Sequence, residues 1–293
     1  MTHVEDELTD QPACWTRAAT EVSRYAGELP ASGERVAIVG CGTSYFMAQA
    51  AAALREGAGH GETDAFAASE FPHARSYDRV VALTRSGTTS EVLDLLGRLR
   101  GHTRTTAITA DPHTPVMESA DHVVVLDYAD ERSVVQTRFA TTALTLLRAH
   151  LGLHGDSVVT DARTALAEPL PRGLVDCGQF TFLGRGWTVG LANEAALKMR
   201  EASLSWTEAY PAMEYRHGPI SIATAATATW MFGEAPDGLA RQVGSTGALW
   251  VPGELDPLAE LVRAQRLAVA VAAARGLDPD RPRHLTRSVI LTP

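Results

Sequence analysis

Short apolar runs bounded by turn residues alternate with longer, helix-periodic segments along most of this chain. Val36–Val39, Val80–Leu83, Thr105–Thr109 and His122–Leu126 are too short for helices and rich in β-branched residues, which predicts strands. The stretches between them read as helices, so the rhythm is βαβ. A parallel sheet covered by helices on both faces follows. Residues 1–30 read as a leading helix and loop, and a long helical segment runs from about Thr141 to Leu151. After a polar stretch bearing Pro169, Pro171 and Gly173 the pattern restarts at Gln179–Leu183, with Gly184-Arg185-Gly186 and a helix. Strands near Ala228–Phe232 and Ala248–Val251, a helix over about Leu258–Arg275 and a tail from His284 complete it. The organisation this predicts is α/β throughout: a first α/β/α domain over 31–152, a linker over 153–175, and a shorter second domain with the tail over 176–293.

Two strand-to-helix turns are unusually rich in hydroxyls. One is Gly40-Cys41-Gly42-Thr43-Ser44, and the other is Thr84-Arg85-Ser86-Gly87-Thr88-Thr89. Free N–H groups and the positive end of the helix dipole attract an anion at such turns, and a phosphate fits best. Arg85 could add charge to the cradle. Neither turn carries G-x-x-x-x-G-K-[ST] or a complete G-x-G-x-x-G, which argues against a nucleotide. The competing explanation is ordinary helix capping by Ser and Thr; two such turns at the ends of parallel strands favour a ligand.

Composition changes the picture little. The 293 residues are 45% hydrophobic and 21% charged, as in an average globular protein of about two domains. A formal charge of −9 disfavours a nucleic-acid or anionic-membrane surface, so any anion site must be built locally. The start, Met1 to Glu7, is polar and acidic, unlike a signal peptide, and no apolar stretch approaches the ~20 residues of a membrane span. The expected location is cytoplasmic. Cys14, Cys41 and Cys177 are scattered, giving neither a disulfide framework nor a zinc pattern. His150 and His154 alone have i,i+4 spacing, but Gly152 ends the helix between them, so no metal site is expected.

Between Val189 and Leu204, Glu194, Lys198 and Glu201 fall on one helical stripe, with Ala192, Ala195, Ala196, Met199 and Ser203 roughly opposite. A solvated ion pair would explain such a stripe. Yet the loop Glu214-Tyr215-Arg216-His217-Gly218-Pro219 follows soon after, and carboxylate, ammonium and imidazole together make an acid–base set.

These residues together resemble the sugar isomerase (SIS) family, in particular the isomerase half of isomerising glucosamine-6-phosphate synthase and stand-alone deaminase-like relatives. The resemblance runs through Glu7 to Pro12, Gly40 to Ser44, Ser69-Glu70-Phe71, Ser86-Gly87, Phe182 to Gly186, Glu194 to Lys198, Glu201, Glu208-Ala209-Tyr210, Glu214, His217-Gly218-Pro219 and Pro282 to Val289. It implies two tandem SIS domains, a homodimer with active sites near the subunit interface, a hexosamine 6-phosphate substrate, and no cofactor or metal. Gly42, Thr43, Ser44, Thr84, Arg85, Ser86 and Thr89 would hold the phosphate. Glu201 would move the proton between C1 and C2, His217 would open the ring from the neighbouring subunit, and Glu194 and Lys198 would support them.

Several positions depart from the family pattern. Arg287 stands where the synthase has a lysine, and a guanidinium stays protonated, which excludes a Schiff base there. Arg85 replaces a glutamine, and Gln136 replaces a serine in the substrate loop. The chain starts at the isomerase leader, so synthase activity with glutamine is not expected, and the segment from Gly218 to the tail is shorter. The resemblance therefore implies glucosamine-6-phosphate deamination and isomerisation. The alternatives are elimination of water across C2–C3 of N-acetylglucosamine 6-phosphate, and a sugar-phosphate sensor without turnover.

Overall fold

The computed structural model describes residues 2–291. By its internal contacts the chain forms two compact units. One comprises Ala13–His154 and the tail from Thr286; the other comprises the leader up to Pro12 together with Gly155–Leu285. The division falls inside the first helix, α1 (His3–Glu21), at its internal Pro12. The tail thus belongs with the first sheet rather than with the segment it follows in sequence.

The first-sheet unit contains β1 (Val36–Gly40), α2 (Thr43–Gly57), β2 (Thr63–Ala67), β3 (Arg79–Leu83), α3 (Ser90–Leu99), β4 (Arg104–Thr109), α4 (Val116–Ser119), β5 (His122–Val125) and α5 (Arg138–His150). Its five strands are all parallel, in the order β2-β1-β3-β4-β5. β1 and β3 are buried at every position, as a sheet covered on both faces requires. Val80, Ala82, Val92, Leu95 and Leu96 pack with Val39 in one core between α3 and the sheet.

The second-sheet unit contains α6 (Val158–Ala167), β6 (Gln179–Gly184), α7 (Thr188–Ser203), β7 (Trp206–Pro211), β8 (Thr227–Met231), α8 (Leu239–Ser245), β9 (Leu249–Val251) and α9 (Pro257–Ala274). Its order, β7-β6-β8-β9, repeats that of the first sheet one strand short. α6 occupies the stretch that the prolines marked as a linker. Two strands carry no sequence signal of the kind used above, β2 (TDAFA) and β7 (WTEAYP); both are half-exposed edge strands.

In both sheets the chain reverses its direction of winding between the first and third strands, and open parallel sheets place ligands beyond the carboxyl ends at such a point. Gly40 and Gly184 close the corresponding first strands. A methyl group on either would run into the backbone four residues later, at Ser44 and Thr188 respectively, so each strand passes into its helix through an equally tight turn.

Candidate functional site

At the switch point of the first sheet lie the two hydroxyl-rich turns, one after β1 and one after β3. Capping does not account for them. The residue preceding α2 is Gly42, which has no side chain to offer, and Thr89, preceding α3, makes no capping bond with its hydroxyl. Among the described residues, the N–H groups of Ser86, Gly87 and Thr89 donate to no protein acceptor. Gly87 has φ +63, and a Cβ there would collide with Thr114, so only glycine keeps this backbone shape. Thr84 Oγ1 is a buried polar atom without a protein partner in the same turn. Free amides, a helix N-terminus and an orphaned buried hydroxyl together are what an anion would complete.

The matching point of the second sheet is closed. Thr188 Oγ1 lies 2.9 Å from the Phe232 carbonyl and so bridges the ends of β6 and β8, and it also accepts from the Arg185 N–H at 2.8 Å. No equivalent bridge joins Ser44 to the segment after β3 among the described residues.

Arg85 departs from the expectation that it adds charge to the cradle. Its side chain is buried, and its terminal nitrogens donate to the carbonyls of Ser133 (3.0 Å), Val134 (3.3 Å) and Arg287 (2.8 Å). Arg287 binds the Asp130 carboxylate and the Glu131 carbonyl, so its guanidinium is part of the wall. Gln136 is half-buried, with Oε1 lacking a donor. Cys41 is half-buried near Glu91, and burial pushes its thiol up to about 11, which makes it a poor nucleophile.

In the second-sheet unit the charged stripe of α7 is not a solvated face. Glu194 and Lys198 are fully buried, whereas the Glu201 side chain keeps 17% of its surface. Lys198 Nζ is 3.4 Å from Glu194 Oε1 and contacts Glu201 Oε2 on the other side. α9 packs against the helix as well as the sheet, so the alanine face, Glu194 and Lys198 are all covered, while Val189, Asn193, Leu197 and Arg200 keep part of their surface exposed. Burying a lysine costs several kcal/mol unless anions meet it, and two carboxylates do so here. Glu201 is the member of this triad open to solvent, beside Leu204, Arg281 and Arg283 in a depression of ≈ 50 Å³. That is far smaller than the roughly 300–1,000 Å³ of ordinary ligand pockets.

His217 is exposed, in a short helical turn after β7. Glu201 precedes the start of β7 by five residues, and His217 follows its end by six. The six-residue strand between them spans roughly 17 Å at ~3.3 Å per residue. The two residues therefore sit at opposite ends of their sheet.

The sequence singles out the two hydroxyl-rich turns and the triad but gives no hint of Glu131. This buried carboxylate faces Arg85 and accepts the N–H groups of Thr137 and Arg138, so it caps α5. A lone acidic residue seven positions before a helix gives no local signal of that role. Among the described residues, no three His, Cys, Asp or Glu side chains are grouped to hold a metal ion, and no helix is long and apolar enough to cross a membrane.

Two parallel, doubly wound sheets with an anion-type turn at the first switch point define a class of α/β folds that place ligands beyond the carboxyl ends of their strands. Comparison with known proteins makes the class specific. Residues 31–151 match the SIS domain. It is 26% identical to the isomerizing glutamine–fructose-6-phosphate aminotransferase of Methanothermobacter thermautotrophicus over 97% of its own length and 56% of that protein's. It is likewise 26% identical to the Escherichia coli K12 enzyme of that name, over 92% and 54%. The chain thus spans about half the length of the curated relatives it matches, and is homologous to their isomerase half. A glucosamine-6-phosphate deaminase crystal structure from Thermotoga maritima superimposes with a TM-score of 0.81 at 26% identity, covering 99% of this chain and 100% of that one. Tagatose-6-phosphate ketose/aldose isomerase from Escherichia coli, at 17% identity and TM-score 0.80, covers 100% of this chain and 96% of that one and shares the fold.

Proposed function

We propose that the chain is an enzyme acting on an amino-sugar 6-phosphate, in the simplest case a glucosamine-6-phosphate deaminase and aldose–ketose isomerase. The observation that carries the reading is the buried Glu194–Lys198–Glu201 triad, because a lysine held between two carboxylates with one left open has no role in packing that an apolar residue would not fill better. In this reading the Gly42–Ser44 and Thr84–Thr89 turns hold the phosphate ester through their hydroxyls and the free amides of Ser86, Gly87 and Thr89. Glu201 takes the proton from the carbon next to the carbonyl of the open-chain sugar and returns it at the neighbouring carbon. Lys198 stabilises the developing enolate oxygen at C1 or holds Glu201 in place, with its own charge held by Glu194, and water then hydrolyses the resulting C2 ketimine to ammonia and the ketose phosphate.

His217 is assigned to ring opening, and its distance from Glu201 along β7 supports its coming from a second copy of the chain. A homodimer would then be required for turnover. With Arg287 bound to Asp130, ring opening has no amine from the tail to draw on and rests on that histidine.

The same engagement of Arg287 favours a second reading, in which C2 deprotonation of an N-acetylated substrate expels the C3 hydroxyl as water. Incubating the protein with glucosamine 6-phosphate and N-acetylglucosamine 6-phosphate, with products resolved by mass, tests both. Ammonia and a ketose phosphate from the first support deamination; loss of 18 mass units from the second supports dehydration. Binding of either sugar with no change in mass over hours would reduce the chain to a sensor.

A further inference from the structure

Arg85 lies in the middle of the anion turn, yet its side chain leaves the turn and runs beneath it. There it meets two segments distant in sequence. Nη1 donates to the carbonyls of Ser133 and Val134 and lies 3.5 Å from Glu131 Oε2; Nη2 donates to the carbonyl of Arg287 at 2.8 Å. Glu131 gives its other oxygen to the start of α5. Arg287 is pinned by its own side chain to Asp130 and to the Glu131 carbonyl. The tail then continues along the turn itself: Ser288 Oγ is 2.9 Å from Thr88 Oγ1, and the Val289 carbonyl accepts the Ser90 N–H at 3.1 Å.

Two guanidiniums and two carboxylates thus form one lattice, with Arg85 and Glu131 almost entirely buried. A buried cation must keep its acceptors, because losing one leaves charge without compensation in a low-dielectric interior. The loop and the tail are therefore fixed together. Both border the turn, so whatever is attached to a phosphate held there has to meet them.

We propose that Arg85 is a positioning residue that couples the anion turn to the 130–137 loop and the C-terminal tail, setting the affinity for the sugar part of the ligand rather than for its phosphate. This rests on reading the turn as a phosphate site, and two separate measurements distinguish failure of one from failure of the other.

The first needs no ligand. Amide hydrogen exchange of the full chain should show residues 131–137 and 286–291 exchanging about tenfold faster, together, in Arg85→Gln, the scale set by loss of a charge-assisted hydrogen bond. Arg85→Lys should fall between the two, since it keeps the charge and loses the fork. Unchanged exchange in either segment overturns the coupling; should Arg85→Gln fail to fold, Arg85→Lys carries the same test. The second is calorimetric binding of inorganic phosphate and of glucosamine 6-phosphate. Arg85→Gln should weaken the sugar phosphate about tenfold and inorganic phosphate less than about threefold, with partial rescue by lysine. Equal weakening of both, or none of the sugar phosphate, overturns the proposal. A wild-type protein that binds neither contradicts the phosphate reading, and hydrogen exchange then still decides the coupling.

Discussion

Lys198 Nζ sits between two carboxylates of its own helix, 3.4 Å from Glu194 Oε1 and in contact with Glu201 Oε2, and only the second carboxylate reaches solvent. The arrangement separates two tasks. Glu194 keeps the lysine charged in the interior, and Glu201 is left to act outward.

Removing the lysine should therefore unsettle the fold. Lys198→Ala leaves Glu194 buried without its cation and should destabilise the protein by about 3–5 kcal/mol. Urea denaturation followed by circular dichroism measures this. A loss below about 1 kcal/mol would show that the triad is not held by charge.

Glu201→Gln should behave in the opposite way. The amide keeps the shape and the partly exposed position, so stability should change by less than about 1 kcal/mol, while turnover of the sugar phosphate falls at least about 10²-fold, as for loss of a general base. Retention of activity would move the proton transfer to another group.

His217 is exposed and should be dispensable for folding. If a second copy supplies it, mixing Glu201→Gln subunits with His217→Ala subunits should restore activity, because some mixed dimers regain one intact pairing of the two residues. Inactive mixtures with proven subunit exchange would place both residues in one chain's own site.

Gly87→Ala tests the anion turn. With φ +63 and Thr114 in the way of a Cβ, the substitution should cost about 2 kcal/mol or more and weaken phosphate binding, read by thermal unfolding with and without inorganic phosphate. A stable variant with unaltered phosphate affinity would remove this turn from the site.

The Cys41 thiol gives a pH prediction. Its titration is raised by burial to about 11, so it remains neutral through the physiological range and becomes a thiolate only in strong alkali. Alkylation by iodoacetamide in the folded protein should be slow at pH 8 and accelerate towards pH 11. The sign for stability follows: an unfolded thiol ionises nearer 9, so whatever the protonated form contributes is present below that pH and is lost between 9 and 11.

Much of the fold was legible because interior parallel strands announce themselves. Val36–Val39, Val80–Leu83 and Phe180–Leu183 are continuous apolar or β-branched runs since both faces of the sheet are covered. Thr63–Ala67 and Trp206–Pro211 lie at sheet edges, half-exposed, and need no such run, so periodicity passed over them. The spacing of Glu194, Lys198 and Glu201 was equally visible, but i,i+3 and i,i+4 pairs look the same whether solvated or buried. Their burial depends on α9, some sixty residues later, packing over the same helix. Arg85 misled for a similar reason. A cation inside a Ser/Thr turn suggests a ligand contact, whereas its acceptors at 131–134 and 287 become neighbours only in the folded sheet.

The central claim is that Glu201 draws hydrogen from the carbon skeleton of a phosphorylated amino sugar. The most direct measurement is mass-spectrometric detection of deuterium in glucosamine 6-phosphate and N-acetylglucosamine 6-phosphate, or in their products, after incubation with the protein in heavy water. The account predicts one deuterium entering at carbon with the wild-type protein and none with Glu201→Gln. Sugar phosphates that bind yet emerge without deuterium and without change would contradict it.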